Sequence, residues 1–455
     1  MQKFFNVNHK KKLYIETYGC QMNFSDSEII GSVMINNNYE LTNKISKADI
    51  IFINTCSVRD NAEQRVRKKL KELNAQKKNN PHLKIGILGC MAERLKSKLF
   101  EEEKIIDIIA GPDAYRYLPD LMTTVESGQK AVNVLLSAEE TYADINPLKF
   151  GDNKVSAFIS IMRGCQNFCS YCVVPYTRGK ERSRNPQTII NEANDLFKKG
   201  YREVTLLGQN VNSYTWKGED NVNFAQLLEK VALVNPQLRV RFATSHPKDI
   251  SDELLQAIAK HENICKAIHL PVQSGSTRVL ELMNRKYTRQ SYINRIEAIR
   301  KFISGCAIST DIITGFCGET EDDHKQTLSL MKWAAYDYAF MFKYSERKGT
   351  IAAEKFKDDI PDETKGRRLK EIIELQQKLS HESNLKNIGN TFRVLVEGVS
   401  KKSNQKLSGR NSQNKVVVFP KKNFKPGDYV NVKIIDCTSA TLMGEAVNNK
   451  SCSIK

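Results

Sequence analysis

Short apolar runs alternate with helical patterns along most of this chain, and that alternation limits its fold more than any other feature. LYIETYGC (Leu13–Cys20), DIIFINTC (Asp49–Cys56), KIGILGC (Lys84–Cys90), IDIIAG (Ile106–Gly111) and AVNVLL (Ala131–Leu136) read as strands. Helical stretches run between them, from about Ser25 to Asn38 and from Glu63 to Lys77. Such alternation gives a parallel sheet with helices on its faces. A loop with Pro147 and Gly151 should end this region, so residues 1–147 form a first α/β domain.

From 151 to 384 a strand-then-helix unit recurs six times. Its strands are Ala157–Gly164, Glu203–Gln209, Arg239–Ser245, Ala267–Val272, Ala307–Phe316 and Tyr338–Ser345. Eight units close a full barrel, so six predict a partial, open-sided (β/α)6 barrel that could admit a macromolecule. A polar helix, Glu363–Leu385, then leads into residues 385–455, where short β-rich runs and turns at SGRN and KPGD predict a small OB-like β-barrel.

The 11 cysteines are many for a chain without the marks of secretion. The opening MQKFFNVNHKKKLYIETYGC has no long apolar stretch or small-residue cleavage site, and no run reaches the ~18 apolar residues of a membrane span. A cytoplasmic protein is expected. The cysteines with ordered spacing then suggest metal ligation or catalysis. Cys165, Cys169 and Cys172 form a C-x3-C-x2-C run directly after the first barrel strand. Three thiolates on one loop can hold three irons of a cubane and leave the fourth open to a small chelating cofactor. A zinc site is the alternative, though it needs a fourth ligand.

Cys20, Cys56 and Cys90 are far apart in sequence, yet each ends a predicted strand, in YGC, NTC and LGC. The C-terminal strand ends of an open α/β sheet form its ligand crevice, so three thiols could meet there. Three buried core cysteines remain the bland alternative.

Lys+Arg exceed Asp+Glu by 70 to 52, and the stretch from His381 onward carries 13 of the former against 5 of the latter. A basic end of this kind suits a nucleic-acid partner. Lys401, Lys402, Lys406, Arg410 and Lys415 flank one turn of the tail. They could meet RNA phosphates or simply form a solvated edge.

The run Cys165–Cys172, with Tyr171 before its last cysteine, resembles the radical-SAM signature. YGCQMN (Tyr18–Asn23), NTCSVR (Asn54–Arg59), RGCQNFCSYCVVPYTRG (Arg163–Gly179), TSHP (Thr244–Pro247) and LPVQSGS (Leu270–Ser276) resemble the methylthiotransferases, as does the TRAM-like tail. The likeness spans essentially the whole chain. YGCQMN and VVPYTRG look most like the branch acting on N6-dimethylallyladenosine in tRNA. Branches acting on threonylcarbamoyl-adenosine or a ribosomal protein are the alternatives, and a non-catalytic Fe–S RNA-binding redox sensor is the rival of a different class.

The resemblance implies two 4Fe–4S clusters, one on Cys165, Cys169 and Cys172 and an auxiliary one on Cys20, Cys56 and Cys90. One S-adenosylmethionine (SAM) would methylate a sulfur at the auxiliary cluster. A second would give a 5′-deoxyadenosyl radical that takes hydrogen from carbon 2 of the adenine beside the anticodon. No acid–base residue is required, and none of the 7 histidines lies in a recognisable catalytic pattern. SAM contacts are expected from Tyr171, Gln209, Ser245, Gln273 and Asp311, at or near strand ends. RNA contacts are expected from Arg178 and the five basic residues of the tail. The expected partners are a tRNA anticodon stem-loop, a reduced flavodoxin or ferredoxin-type donor and a sulfur-delivery or cluster-repair protein, with the enzyme itself a monomer. Cys317 stands in GFCGET where relatives usually carry Pro, and is expected to be neutral. Cys265, Cys306, Cys437 and Cys452 are expected as plain core or surface thiols.

Overall fold

The computed structural model describes residues 10–57, 60–150, 154–218 and 220–447. Arg59, Gly151 and Cys452 lie outside the described residues. The chain divides into two compact units. The first comprises Met1–Phe150 with Arg163–Gln166 and Val173–Arg182; the second comprises Gly151–Met162, Asn167–Cys172 and Ser183–Lys455.

The first unit is built on six parallel strands in the order Glu40–Leu41, Lys12–Tyr18, Ile50–Thr55, Lys84–Gly89, Ile108–Ala110 and Ala131–Asn133. Every residue of Ile50–Thr55 is buried, as expected for a central strand with helices on both faces. Separate apolar cores lie on the two sides, one with Leu13, Ile30 and Phe52, the other with Ile51, Leu70 and Ile87. The edge strand Glu40–Leu41 is too short to give a sequence pattern; Glu40 N–H donates to the Lys11 carbonyl and holds it in place.

The strands stop before their cysteines rather than at them. Gly19 and Gly89 have positive φ, and a Cβ on either would collide with Asn23 and Cys56, or with Asn54 and the Thr55 carbonyl. The backbone therefore leaves the ladder at glycine and enters a helix at cysteine. Cys20 is the N-cap of Gln21–Asn36, and Cys90 is the first residue of Cys90–Leu95.

The second unit carries the six parallel barrel strands in two sets of three. Ser156–Ser160, Glu203–Leu207 and Arg239–Ala243 form one; Ala267–His269, Ala307–Thr314 and Tyr338–Lys343 form the other. A parallel bridge between Val240 and Ile264 joins their neighbourhoods. Helix Asp362–Leu385 then leads to a closed five-stranded barrel of Thr391–Ser400, Ser403–Arg410, Val416–Pro420, Thr441–Ala446 and Tyr429–Cys437. Two buried arginines fix it to the larger barrel: Arg239 donates to the carbonyls of Arg410 (2.7 Å) and Arg393 (3.2 Å), and Arg241 to that of Asn411 (2.8 Å). Among the described residues no helix is long and apolar enough to cross a membrane.

Candidate functional site

Tyr18, Thr55 and Gly89 are in register across three adjacent strands of the first unit. Cys56 and Cys90 follow directly and Cys20 one residue later, so three segments 34 to 36 residues apart release thiols at one level of the sheet. Cys20 is exposed, whereas Cys56 and Cys90 are buried. Two asparagines brace the rim. Asn23 Oδ1 accepts from the Cys20 thiol (3.2 Å) and backbone N–H (3.3 Å), while its Nδ2 donates to the Thr55 carbonyl (3.1 Å). Asn54 Nδ2 donates to the Asn23 carbonyl (2.8 Å) and Ser27 Oγ (2.9 Å). The Cys56 thiol is the main influence bringing Cys20 down to about 6, and Arg178 adds to it. At Cys90 burial dominates and raises the thiol, with Arg178 pulling the other way.

A buried charge network adjoins these thiols. Asp26 accepts from Arg163 Nη1 (2.8 Å) and Arg178 Nη2 (2.6 Å), while Asp113 accepts both Nη atoms of Arg182 at 2.9 and 3.1 Å. Arg163 also lies 3.6 Å from Asp113 and over the Tyr142 ring. Among the described residues no three thiol, imidazole or carboxylate groups are gathered closely enough to hold a metal ion. A cubane takes each thiolate on a different iron, and an open rim beside buried guanidinium groups fits it.

In the second cysteine run, Cys165 N–H donates to the Gly179 carbonyl (3.1 Å). Asn284 Nδ2 donates to the Phe168 carbonyl (2.8 Å), Ser170 N–H to Met283 and Ala352 N–H to Ser170, so three backbone groups of the loop are held. Arg285, also buried, donates to Cys169 Sγ (3.2 Å), the Pro271 carbonyl (2.8 Å) and Tyr287 Oη (2.9 Å). Tyr171 is half-buried, edge-on to Phe316 with centroids 6.5 Å apart.

The C-terminal ends of the barrel strands carry polar atoms that the protein leaves unanswered. Ser160 Oγ, Gln209 Oε1, Ser245 Oγ and Thr314 Oγ1 are buried without a hydrogen-bond partner among the described residues, and each closes a different strand or lies two residues beyond it. An unsatisfied buried polar atom costs about 1–3 kcal/mol, so four at one end of parallel strands fit a polar ligand. His246 Nε2 is a fifth. Gln273 is buried and paired through its backbone to Asp311 and Ile313, while Asp311 Oδ1 is 3.4 Å from His269 Nε2. The residues present fit a SAM-sized polar cofactor.

The comparisons place this geometry. The description "Uncharacterized protein family UPF0004" matches residues 12–111, "Radical SAM superfamily" 159–331 and "TRAM domain" 385–447. A tRNA-2-methylthio-N(6)-dimethylallyladenosine synthase of Amoebophilus asiaticus is 58% identical over 448 residues, covering 96% of this chain and 92% of that protein. One of Chloroherpeton thalassium is 58% identical over 440 residues and 97% of each. The chain belongs to the tRNA-2-methylthio-N(6)-dimethylallyladenosine synthase family. It is a radical-SAM methylthiotransferase. Its fold is similar to the radical S-adenosylmethionine methyltransferase TsrM of Kitasatospora setae, with a TM-score of 0.56, 12% identity, and 76% of this chain and 77% of that one covered.

For a synthase that must hold RNA, two of the expected phosphate contacts need correction. Arg178 is buried and committed to Asp26 beside the thiols, so it offers nothing to a phosphate on the surface. Lys415 pairs with Asp337 (2.8 Å) and donates to Ser383 Oγ (2.7 Å), which ties the small barrel to helix Asp362–Leu385. Arg410 is half-buried and paired with Glu397 at 3.2 Å. Lys401, Lys402 and Lys406 are exposed, as are Lys421, Lys422 and Lys425. Lys421 N–H donates to the Gln405 carbonyl, which brings the two basic turns together.

Sequence reasoning missed Asn23, Asn54, Asp26, Arg285 and His246. Asp26 had a signal: a carboxylate in a helix buried on nearly every side, Gln21–Asn36, needs a cation. Cys317 is buried beside Tyr344, and burial raises its thiol.

Proposed function

We infer that this chain inserts a methylthio group at carbon 2 of N6-dimethylallyladenosine next to the anticodon of tRNA, in the cytoplasm. Cys165, Cys169 and Cys172 hold one 4Fe–4S cluster; Cys20, Cys56 and Cys90 hold the other. When bound, the first cluster with SAM supplies radical chemistry able to break an aromatic C–H bond, and the second supplies sulfur. Ser160, Gln209, Ser245 and Thr314 donate to or accept from the polar edges of SAM, and Tyr171, Gln273 and Asp311 line its site. Arg285 holds Cys169, and the cysteine loop is fixed by Asn284, Met283 and Ala352. Lys401, Lys402, Lys406, Lys421 and Lys422 grip RNA phosphates, leaving a single-stranded anticodon loop free to present its base. A flavodoxin or ferredoxin-type protein supplies the electron, and a sulfur-delivery or cluster-repair protein restores what each turnover consumes.

The observation that carries this reading is the register of Tyr18, Thr55 and Gly89, which releases three thiols at one level. Anaerobic reconstitution should give about eight irons per chain. Incubation with reductant, SAM and tRNA lacking the methylthio group should give the methylthiolated nucleoside by mass spectrometry. Four irons, with SAM cleaved but no sulfur inserted, would overturn it.

A further inference from the structure

In the charge network of the first unit two arginines share one carboxylate. Arg163, Arg178 and Arg182, all buried, pair with two buried carboxylates, Asp26 and Asp113, while a third, Glu93, lies close enough to Asp113 to be raised by it and pairs with none of the three. A buried guanidinium that must share its carboxylate is only partly compensated, so it can take a second anion. Arg178 identifies where. Its Nη2 is used on Asp26, an acceptor it shares with Arg163. Its Nη1 is buried and meets no acceptor in hydrogen-bond geometry among the described residues. Its helix, Val174–Arg178, packs against Cys90–Leu95, and the guanidinium reaches the Cys90 thiol.

A doubly positive cubane core on three thiolates is a monoanion, an anion of the kind that Arg178 can still take. Cluster potentials respond to net charge and to hydrogen bonds on the sulfurs. We propose that Arg178 is a positioning residue for the cluster on Cys20, Cys56 and Cys90, with Nη1 donating to cluster sulfur and its charge raising the reduction potential. The proposal rests on the reading of those cysteines as ligands. Asp26 acts in the opposite sense, since it neutralises part of the guanidinium charge.

The test uses the full chain with Cys165, Cys169 and Cys172 changed to Ala, so that only this cluster remains. Its potential is read by a redox titration followed by electron paramagnetic resonance. Arg178→Met should shift it negative, with about tenfold fewer reduced clusters at a fixed potential, equivalent to about 59 mV for a one-electron couple. Arg178→Lys should recover part of the shift, and Asp26→Asn should move the potential positive. Shifts of opposite sign support the proposal, because damage to the fold has no reason to reverse with the charge removed. No shift, or two in one direction, overturns it. If Arg178→Met retains no iron, the Asp26→Asn sign decides. If the triple-Ala parent itself binds no iron, the ligand reading fails instead.

Discussion

The two cysteine triads proposed to hold clusters are built in opposite ways. At the first, three thiols come from three strands of one sheet, and the cation beside them belongs to a network of three arginines and two aspartates. At the second, the cysteines lie on a single loop, and Arg285 has sulfur, carbonyl and hydroxyl partners but no carboxylate among the described residues. A site assembled by topology is rigid because the sheet is rigid, and its charge is adjusted through second partners. A site on a loop depends on the few hydrogen bonds that hold the loop.

Ablating each triad separates the two most sharply. Changing Cys165, Cys169 and Cys172 to Ala should remove about four irons and abolish 5′-deoxyadenosine formation, read by chromatography. Changing Cys20, Cys56 and Cys90 should also remove about four irons but spare SAM cleavage while stopping methylthiolation. SAM cleavage that survives the first change would break the assignment of roles.

Arg285 tests the claim that the loop site hangs on few contacts. Arg285→Met removes the donor to Cys169 and Pro271; a hydrogen bond to a charged group contributes about 1.5–3 kcal/mol. Iron at that site should be lost to a chelator about tenfold to a hundredfold more readily, with the first site unaffected. Arg285→Lys should restore part of it. Equal loss at both sites would mean that the residue supports the whole chain instead.

The same difference in construction decides what could be read from sequence. The C-x3-C-x2-C run is local and declares itself. The other triad was legible only through its place at strand ends, because parallel strands report their register by where their apolar runs stop. The alternating elements, the six-unit barrel and the five-stranded tail were legible for the same reason. Long-range partners were not. Nothing in RGC or YTRG says that both arginines turn inward to Asp26, so Arg178 read as a surface cation. Lys415 misled likewise, since its partner Asp337 lies far off in sequence.

A smaller effect should appear with pH in the second unit's neighbourhood of Arg285. Burial first, then the adjacent Arg285 cation, holds His246 down to about 2 from an ordinary 6.5. The folded chain keeps this imidazole neutral where the unfolded chain protonates it, so stability is complete above pH 6.5 and declines as pH falls below it. The loss should approach about 1.4 kcal/mol per pH unit at this site. Thermal melts of the metal-free chain between pH 5 and 7 should show the decline, and His246→Asn should flatten it. An unchanged slope in that variant would place the acid sensitivity elsewhere.

The smallest effects should come from the basic tail, which touches neither triad's chemistry. Lys401, Lys402, Lys421 and Lys422 are exposed around two turns that meet through Lys421 and Gln405. Replacing one of them with Ala should weaken tRNA binding and reduce the slope of log affinity against log salt by about one. Iron content and tRNA-independent SAM cleavage should stay unchanged. Lys415→Ala should behave differently, because its ammonium is spent on Asp337 and Ser383. It should loosen the small barrel and lower the melting temperature with little change in salt slope. If instead Lys415→Ala lowers the slope as the exposed lysines do, its ion pair opens on RNA binding and the tail's grip extends to helix Asp362–Leu385.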